Sequence, residues 1–193
     1  RLMGIIQQLE EATTSEELFK IQLQLALQGY SGFMTTYIDA DDKNATQNIL
    51  TAKQGGITLE QKEYYLDADD ATTQIREGYK QNIVKMLQLF GFTEEQATAK
   101  MTNILRLETE LAKVSRSETD LRDPEANYNK MTLAQFESQF PQVQLEKIMN
   151  AMGVKSEYMQ ELIVGQPEFF AGADNLIASM TADEYRDYME WRL

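Results

Sequence analysis

The chain has 193 residues, 42% of them apolar, and a formal net charge of −13 at pH 7. That length suffices for a buried core, the acidity argues against nucleic acid as a partner because phosphate binding needs clustered Lys and Arg, and no apolar run reaches the ~18 residues of a membrane span. With no cysteine and no histidine, the chain can form neither a disulfide nor a thiolate zinc site and supplies no imidazole.

Residues 2–12 predict a helix with Leu2, Ile5, Ile6 and Leu9 on one face. Ser15 is the expected N-cap of a second helix, Glu16 to Gln28, striped by Leu18, Ile21, Leu25 and Ala26 and ended by Gly29. Phe33–Asp39 and Gln47–Lys53 carry the aromatic and β-branched residues of two strands. Ala40–Ala45 between them has a loop composition, so one antiparallel hairpin is expected, and no other sheet.

After Gly55-Gly56 a short helical turn is expected over Leu59–Leu66, burying Tyr64, Tyr65 and Leu66. Asp67, Asp69 and Asp70 then open a long helix to Phe90, with Ile75, Tyr79, Ile83, Met86, Leu87 and Phe90 at helical spacing. Gly91 suits its C′ position. Thr93 with Gln96 makes a capping box for a second long helix, to Ser115, with Ala97, Met101, Ile104, Leu105, Leu111 and Ala112 inward. So short a connection predicts an antiparallel helix pair as the backbone of the core.

Leu121–Gln135 is unlike its neighbours. Pro124 fixes its own φ and biases Asp123 away from helix, while Asn127, Tyr128 and Asn129 suit a folded turn. Thr132 with Gln135 is a capping box, so a helix starts at Leu133. Helices are expected over 133–139, 142–152, 167–179 and 182–192, with Gly153, Pro167 and the Thr181/Glu184 cap as punctuation, and Leu162–Gly165 is extended between helices. The fold class is mainly α: one helical domain over residues 1–193, built on the long antiparallel pair, with a small β-hairpin near residues 33–53.

Arg122-Asp123-Pro124 followed by Tyr128-Asn129-Lys130-Met131-Thr132-Leu133-Ala134-Gln135 resembles the non-catalytic, N-terminal helical lobe of the neprilysin-type, PepO-like zinc metalloendopeptidases. Three further runs agree in order and spacing. They are Gly55-Gly56 through Glu63-Tyr64-Tyr65-Leu66, then Glu161 through Phe169, then Tyr188-Met189-Glu190-Trp191-Arg192. One departure is that Leu59 is followed by Glu60 where the family often has Leu-Pro. Such peptidases need His-Glu-x-x-His for their zinc, and no residue here can form it.

The resemblance therefore implies a fragment of a larger lobe that scaffolds and restricts access to a substrate chamber. Zinc belongs to the parent enzyme and no cofactor to this fragment, which is expected to be inactive alone. The implied partners are the catalytic lobe of the same parent chain and short peptide substrates. Family habit is a periplasmic or secreted enzyme in some bacteria and a cytoplasmic one in others, the former slightly favoured, and the lack of cysteine fits a bacterial source. The start at Arg1 inside an apolar-periodic segment and the end at Leu193 suggest a cut piece. The alternative is a stand-alone acidic helical binding module with no peptidase activity.

Other candidates weigh less. Asp39-Ala40-Asp41-Asp42 and Asp67-Ala68-Asp69-Asp70 hint at calcium, but the fifth and sixth positions are Lys43 and Asn44, or Ala71 and Thr72, where an EF-hand needs a ligand and a glycine. Glu108 and Glu110 are read as solvated helix positions, because residues two apart do not face each other. Asn44-Ala45-Thr46 matches a short glycosylation acceptor. The aromatics Tyr64, Tyr65, Phe169, Phe170, Tyr185, Tyr188 and Trp191 are read as core, some at an interface with the missing lobe. Arg122, Asp123, Pro124, Tyr128, Asn129 and Lys130 are the motif residues. They form either a polar cluster facing a substrate chamber or, the preferred reading, a hydrogen-bonded turn that locks the long helix pair against the helices C-terminal to it.

Overall fold

In the computed structural model, which describes residues 2–30 and 32–193, the helical periodicities of the sequence become nine α-helices among those residues. These are α1 (Leu2–Glu11), α2 (Ser15–Ala26), α3 (Glu63–Leu66), α4 (Asp70–Leu89), α5 (Glu94–Val114), α6 (Leu133–Gln139), α7 (Leu145–Ala151), α8 (Pro167–Ser179) and α9 (Ala182–Arg192). Four strands accompany them: β1 (Met34–Asp41), β2 (Asn44–Gln54), β3 (Asn129–Thr132) and β4 (Glu161–Val164). The mainly helical class with a small β part is borne out. The residues gather into two compact units, Arg1–Gln22, Ile57–Lys113 and Met180–Leu193 in the first, Leu23–Gly56 and Val114–Ser179 in the second.

The first unit is built on α4 and α5. Asp69 caps α4 by accepting from the Thr72 amide at 2.9 Å, and Gly91, at φ 100°, turns the chain where a side chain would be strained. Thr93 and Gln96 then cap α5 reciprocally. Tyr79 meets Glu108 while Leu87 and Ala97 share one core near the turn, so the two helices run antiparallel as predicted. Ile83 and Ile104 sit fully buried between them, beside Tyr65, Tyr79 and Ala112. Leu105, expected inward, is only half-buried, and Leu107 takes a buried position instead. A helix 21 residues long drifts relative to any fixed stripe. The cap of α2 is Thr14 rather than Ser15. Thr14 Oγ1 accepts from the Glu17 amide at 3.2 Å, and Glu17 Oε2 accepts from the amides of Thr13 and Thr14.

The second unit holds the sheet, in the order β1-β2-β4-β3. β1 and β2 form the predicted hairpin, with Met34 opposite Gln54. The expected six-residue loop shrinks to a two-residue turn at Asp42-Lys43, with a bulge at Ala40/Asp41. The hairpin is not the whole sheet. β2 pairs in parallel with β4, Leu50 facing Leu162, and β4 pairs antiparallel with β3. The extended segment expected between helices is thus an inner strand, and its Leu162 and Val164 are fully buried. In the same unit Phe136, Phe140, Phe169 and Phe170 meet largely edge to face at 5.0–6.0 Å, the packing their ring quadrupoles favour. The helix expected over 142–152 starts only at Leu145, because Gln144 adopts a left-handed φ of 53°.

Candidate functional site

The Arg-Asp-Pro stretch folds into a polar hub within the second unit. Pro124 keeps the chain out of helix, and Asp123 Oδ1 accepts from the amides of Glu125 and Ala126 at 3.0 and 3.1 Å, an Asx-type turn. Asn127 donates from Nδ2 to the carbonyls of Leu121 and Asp123 at 2.7 and 2.8 Å. Its Oδ1 accepts from Arg116 Nη1 at 3.1 Å and from Gln166 Nε2 at 2.9 Å. Fully buried Gln166 in turn accepts from the Gln54 amide at 2.8 Å. Asn129 Nδ2 donates to the carbonyls of Ala126 and Val164 at 2.9 and 3.0 Å.

The hairpin turn is tied to the same hub. Tyr128 OH donates to Asp41 Oδ1 at 2.7 Å and Lys130 Nζ to Asp41 Oδ2 at 3.2 Å. Lys43 pairs with Glu125 at 2.8 Å and lies 4.5 Å over the Tyr128 ring. The Lys43 amide first, then Tyr128 and Lys130, hold the Asp41 carboxyl below its usual range. The Asp41 carboxylate in return raises Tyr128 and Lys130. Asp123, Tyr128, Asn129 and Lys130 are therefore gathered in one network, whereas Arg122 and Pro124 are exposed and outside it. Arg116, Gln166 and Asp41 belong to it, a role the sequence did not signal for any of the three. Asp41 sits in a stretch that reads as ordinary loop and is fixed by residues 87 and 89 positions away.

Beside the turn lies a cleft of about 550 Å³ lined by Arg116, Thr119, Asp120, Asp123, Ala126 and Glu168. Arg116 grips Glu168 with both Nε and Nη2, the latter at 3.0 Å, and reaches the Ala126 carbonyl at 2.9 Å. Burial tends to raise Glu168, but Arg116 outweighs it and the carboxyl stays low. The carboxylates lining the cleft are already engaged, so its walls can hold a polar group but offer no free acid–base pair.

Two further polar clusters lie in the first unit. Glu108, read from sequence as solvated, is fully buried. Its carboxyl accepts at 2.7 Å from each of Thr58 Oγ1, Tyr65 OH and Tyr79 OH, and Trp191 Nε1 donates to Tyr79 OH at 2.8 Å. Burial raises Glu108 above the ordinary carboxylate range, against the pull of its three hydroxyl donors. The expectation failed because side chains from residues 58, 65 and 79 cover this helix position. Two residues on, Glu110 makes an exposed pair with Lys113.

The second cluster surrounds Lys100 of α5. Its ammonium donates to Glu10 of α1 at 2.7 Å and to Asp187 and Glu190 of α9 at 2.9 and 2.8 Å. Burial alone would lower Lys100, but the three carboxylates raise it above its usual value. A lone lysine in a helical stretch carries no sequence signal for this. The aspartates that hinted at calcium have other roles, Asp41 in the hub and Asp69 as a helix cap. Asn44 is exposed at the hairpin turn, with Thr46 Oγ1 donating to its Oδ1 at 2.7 Å.

These residues do not fit a zinc site. The chain has no histidine or cysteine, and among the described residues no three carboxylates converge to hold a metal ion. Fold and clusters together define a mainly helical protein with a small sheet. Residues 1–193 match the N-terminal model described as peptidase family M13, and the chain belongs to that family.

Endothelin-converting enzyme 1 of Cavia porcellus is 28% identical over 184 residues, 93% of this chain and 24% of the relative. The structure of the zinc metalloprotease Zmp1 of Mycobacterium tuberculosis in complex with inhibitor is 26% identical. It superposes with a TM-score of 0.90 over 99% of this chain and 29% of that one. PepO from Lactobacillus rhamnosis, 20% identical, shares the fold with a TM-score of 0.80 over 98% of this chain and 29% of its own. The chain thus spans about a quarter of the length of the curated relatives it matches, and the resemblance carried by the Arg-Asp-Pro stretch and the three other runs is borne out.

Proposed function

We propose that this chain is the non-catalytic helical lobe of a neprilysin-like zinc metalloendopeptidase, and that it scaffolds the active-site chamber and limits which peptides enter. The observation that carries this reading is a family match over every residue of a chain that contains no histidine. Zinc and the reactive groups then belong to the remainder of the parent protein, whose catalytic lobe is the partner and whose substrates are short peptides. The habit of the resembled family, periplasmic or secreted in some bacteria and cytoplasmic in others, slightly favours a periplasmic or secreted setting. The hub around Asp41, Asn127 and Asn129 supports a fastening role for the Arg122–Lys130 motif, since it links the hairpin turn, β3 and β4.

The test has two arms. The 193-residue chain, supplied with zinc, is expected to bind no stoichiometric metal and to cleave no peptide. The full-length protein is expected to hydrolyse short flexible peptides and to lose turnover steeply as peptides lengthen or fold. Metal bound or peptide cleaved by the chain alone, or length-independent turnover by the full-length protein, would refute the reading.

A further inference from the structure

The Lys100 cluster holds more negative charge than its cations balance. One buried ammonium faces Glu10, Asp187 and Glu190, of which only Glu10 is substantially exposed. From α5, Asn103 Nδ2 donates to Asp187 Oδ2 at 2.7 Å, and the Phe92 ring lies 4.5 Å from the ammonium. On α9, Arg186 directs its guanidinium to the Leu9 and Ala12 carbonyls and to Asp183, while its charge still reaches Glu10. Glu184 pairs with Arg106. Even with Arg186 counted, the three carboxylates outnumber the cations that face them.

The geometry at Glu190 shows how the excess is met. Oε2 accepts from Lys100, but Oε1 is buried and meets no donor. The Glu10 carboxyl grips the same ammonium and lies within hydrogen-bonding reach of the Glu190 carboxyl. Two carboxylates cannot hydrogen-bond to each other, whereas a carboxylic acid and a carboxylate can. We propose that Glu10 and Glu190 hold one proton between them at neutral pH, and that losing it in mild alkali loosens α1 and α9 from α5. The seam is thus a proton-dependent latch.

The electrostatics favour Glu190 as the proton's site. Burial and the neighbouring Glu10 push Glu190 up to about 8. Burial works to raise Glu10 too, but hydrogen bonding from Glu190 and Lys100 keeps it below the ordinary value. A carboxyl raised on folding stabilises fully below its unfolded value of 4.5, and that contribution is lost as pH rises through about 8. The opening would extend further along α9, because Trp191 and Arg192 reach Thr58 and Trp191 also holds Tyr79.

Difference infrared spectroscopy of the full-length protein, titrated from about pH 6.5 to about pH 9.5 so as to bracket the raised Glu190, tests the latch directly. A carboxylic-acid carbonyl band should be present at neutral pH and lost in mild alkali. Over the same range, hydrogen exchange of residues 182–192, corrected for its intrinsic pH dependence, should lose protection. Glu190→Gln should abolish this band and make the protection independent of pH, since its amide always donates to Glu10. Should that variant fail to fold, Glu10→Gln at the exposed rim serves. Its amide donates to Glu190, which then stays ionised, and the band disappears. Buried Glu108 is common to all three proteins, so its own band cancels between them. An infrared titration identical in wild type and variant, or protection of residues 182–192 unchanged through the range, would overturn the proposal.

Discussion

Tyr65 and Tyr79 donate their phenolic protons to the same oxygen, Glu108 Oε2, each at 2.7 Å. The two rings cross at 84° with centroids 6.4 Å apart, so both hydroxyls converge without stacking. Tyr65 OH also accepts from the amides of Thr58 and Leu59, and one carboxyl thereby anchors a loop, α3, α4 and α5. Tyr79→Phe leaves Glu108 one donor short and Trp191 without its nearer acceptor. Loss of one buried hydrogen bond of this kind costs about 1–3 kcal/mol. Glu108→Leu strands three hydroxyls at once and should cost more, about 3–5 kcal/mol by the same scale. Urea unfolding of the 193-residue chain at neutral pH measures both, and equal stability of the two variants would contradict the shared anchor.

Ile83 and Leu105 separate what periodicity predicts from what packing decides. Ile83 is fully buried between α4 and α5, so Ile83→Ala should cost about 2–5 kcal/mol through lost transfer energy and an unfilled cavity. Leu105 is only half-buried beside the same core, and Leu105→Ala should cost less than Ile83→Ala in a parallel urea titration. The reverse order would mean that the inner face of α5 is misplaced.

The long helices were legible because their signals are local. Thr93 with Gln96 and Thr132 with Gln135 mark helix starts within four residues, and Gly91 marks an end. The four-stranded sheet was not legible. β3 and β4 are four residues each, and the pairing of Leu50 with Leu162 joins residues far apart in the chain. The clusters at Glu108 and Lys100 were hidden for a related reason: what buries a carboxylate or ammonium on α5 is supplied from residues 58, 65 and 79, or from residues 10, 187 and 190. The Arg-Asp-Pro turn announced itself through Pro124 and the Thr132 cap, but its link to Asp41 did not.

Asn129 and Arg122 belong to one motif and should behave differently. Asn129 Nδ2 ties the turn to the carbonyls of Ala126 and Val164, so Asn129→Ala should lower stability by about 1–2 kcal/mol. Arg122 is exposed and outside the hub, and Arg122→Ala should fall within about 0.5 kcal/mol of wild type. Thermal melts of the two variants check this. An unchanged melting temperature for Asn129→Ala, together with altered peptide turnover in the full-length protein, would favour the chamber-facing reading.

Asp41 gives the hub a pH signature on the acid side. Its carboxyl is held below the ordinary 3.8 by the Lys43 amide, Tyr128 and Lys130. A depressed folded value means that its contribution is present above 3.8 and lost as pH falls through the folded value. The melting-temperature gap between wild type and Asp41→Asn should therefore be widest near neutrality and close in acid below the ordinary carboxylate range. A gap of constant size down the whole acid limb would show that Asp41 contributes packing rather than charge.

Gly172 occupies α8 where a Cβ would lie 2.5–2.8 Å from three side-chain atoms of Val114. Replacing a helical glycine with alanine ordinarily gains about 1 kcal/mol of helix propensity. Here the added methyl has no room unless Val114 moves, and overpacking of this kind costs about 1–3 kcal/mol. The clash outweighs propensity, so Gly172→Ala should destabilise. Val114→Ala in the same chain removes Cγ1 and Cγ2 but leaves Cβ 2.8 Å from the new methyl, so the double variant should recover part of the loss. A double-mutant cycle by urea unfolding isolates the coupling. Additive effects would mean that Val114 moves aside at little cost, and that Gly172 is tolerated in α8 rather than required by its neighbour.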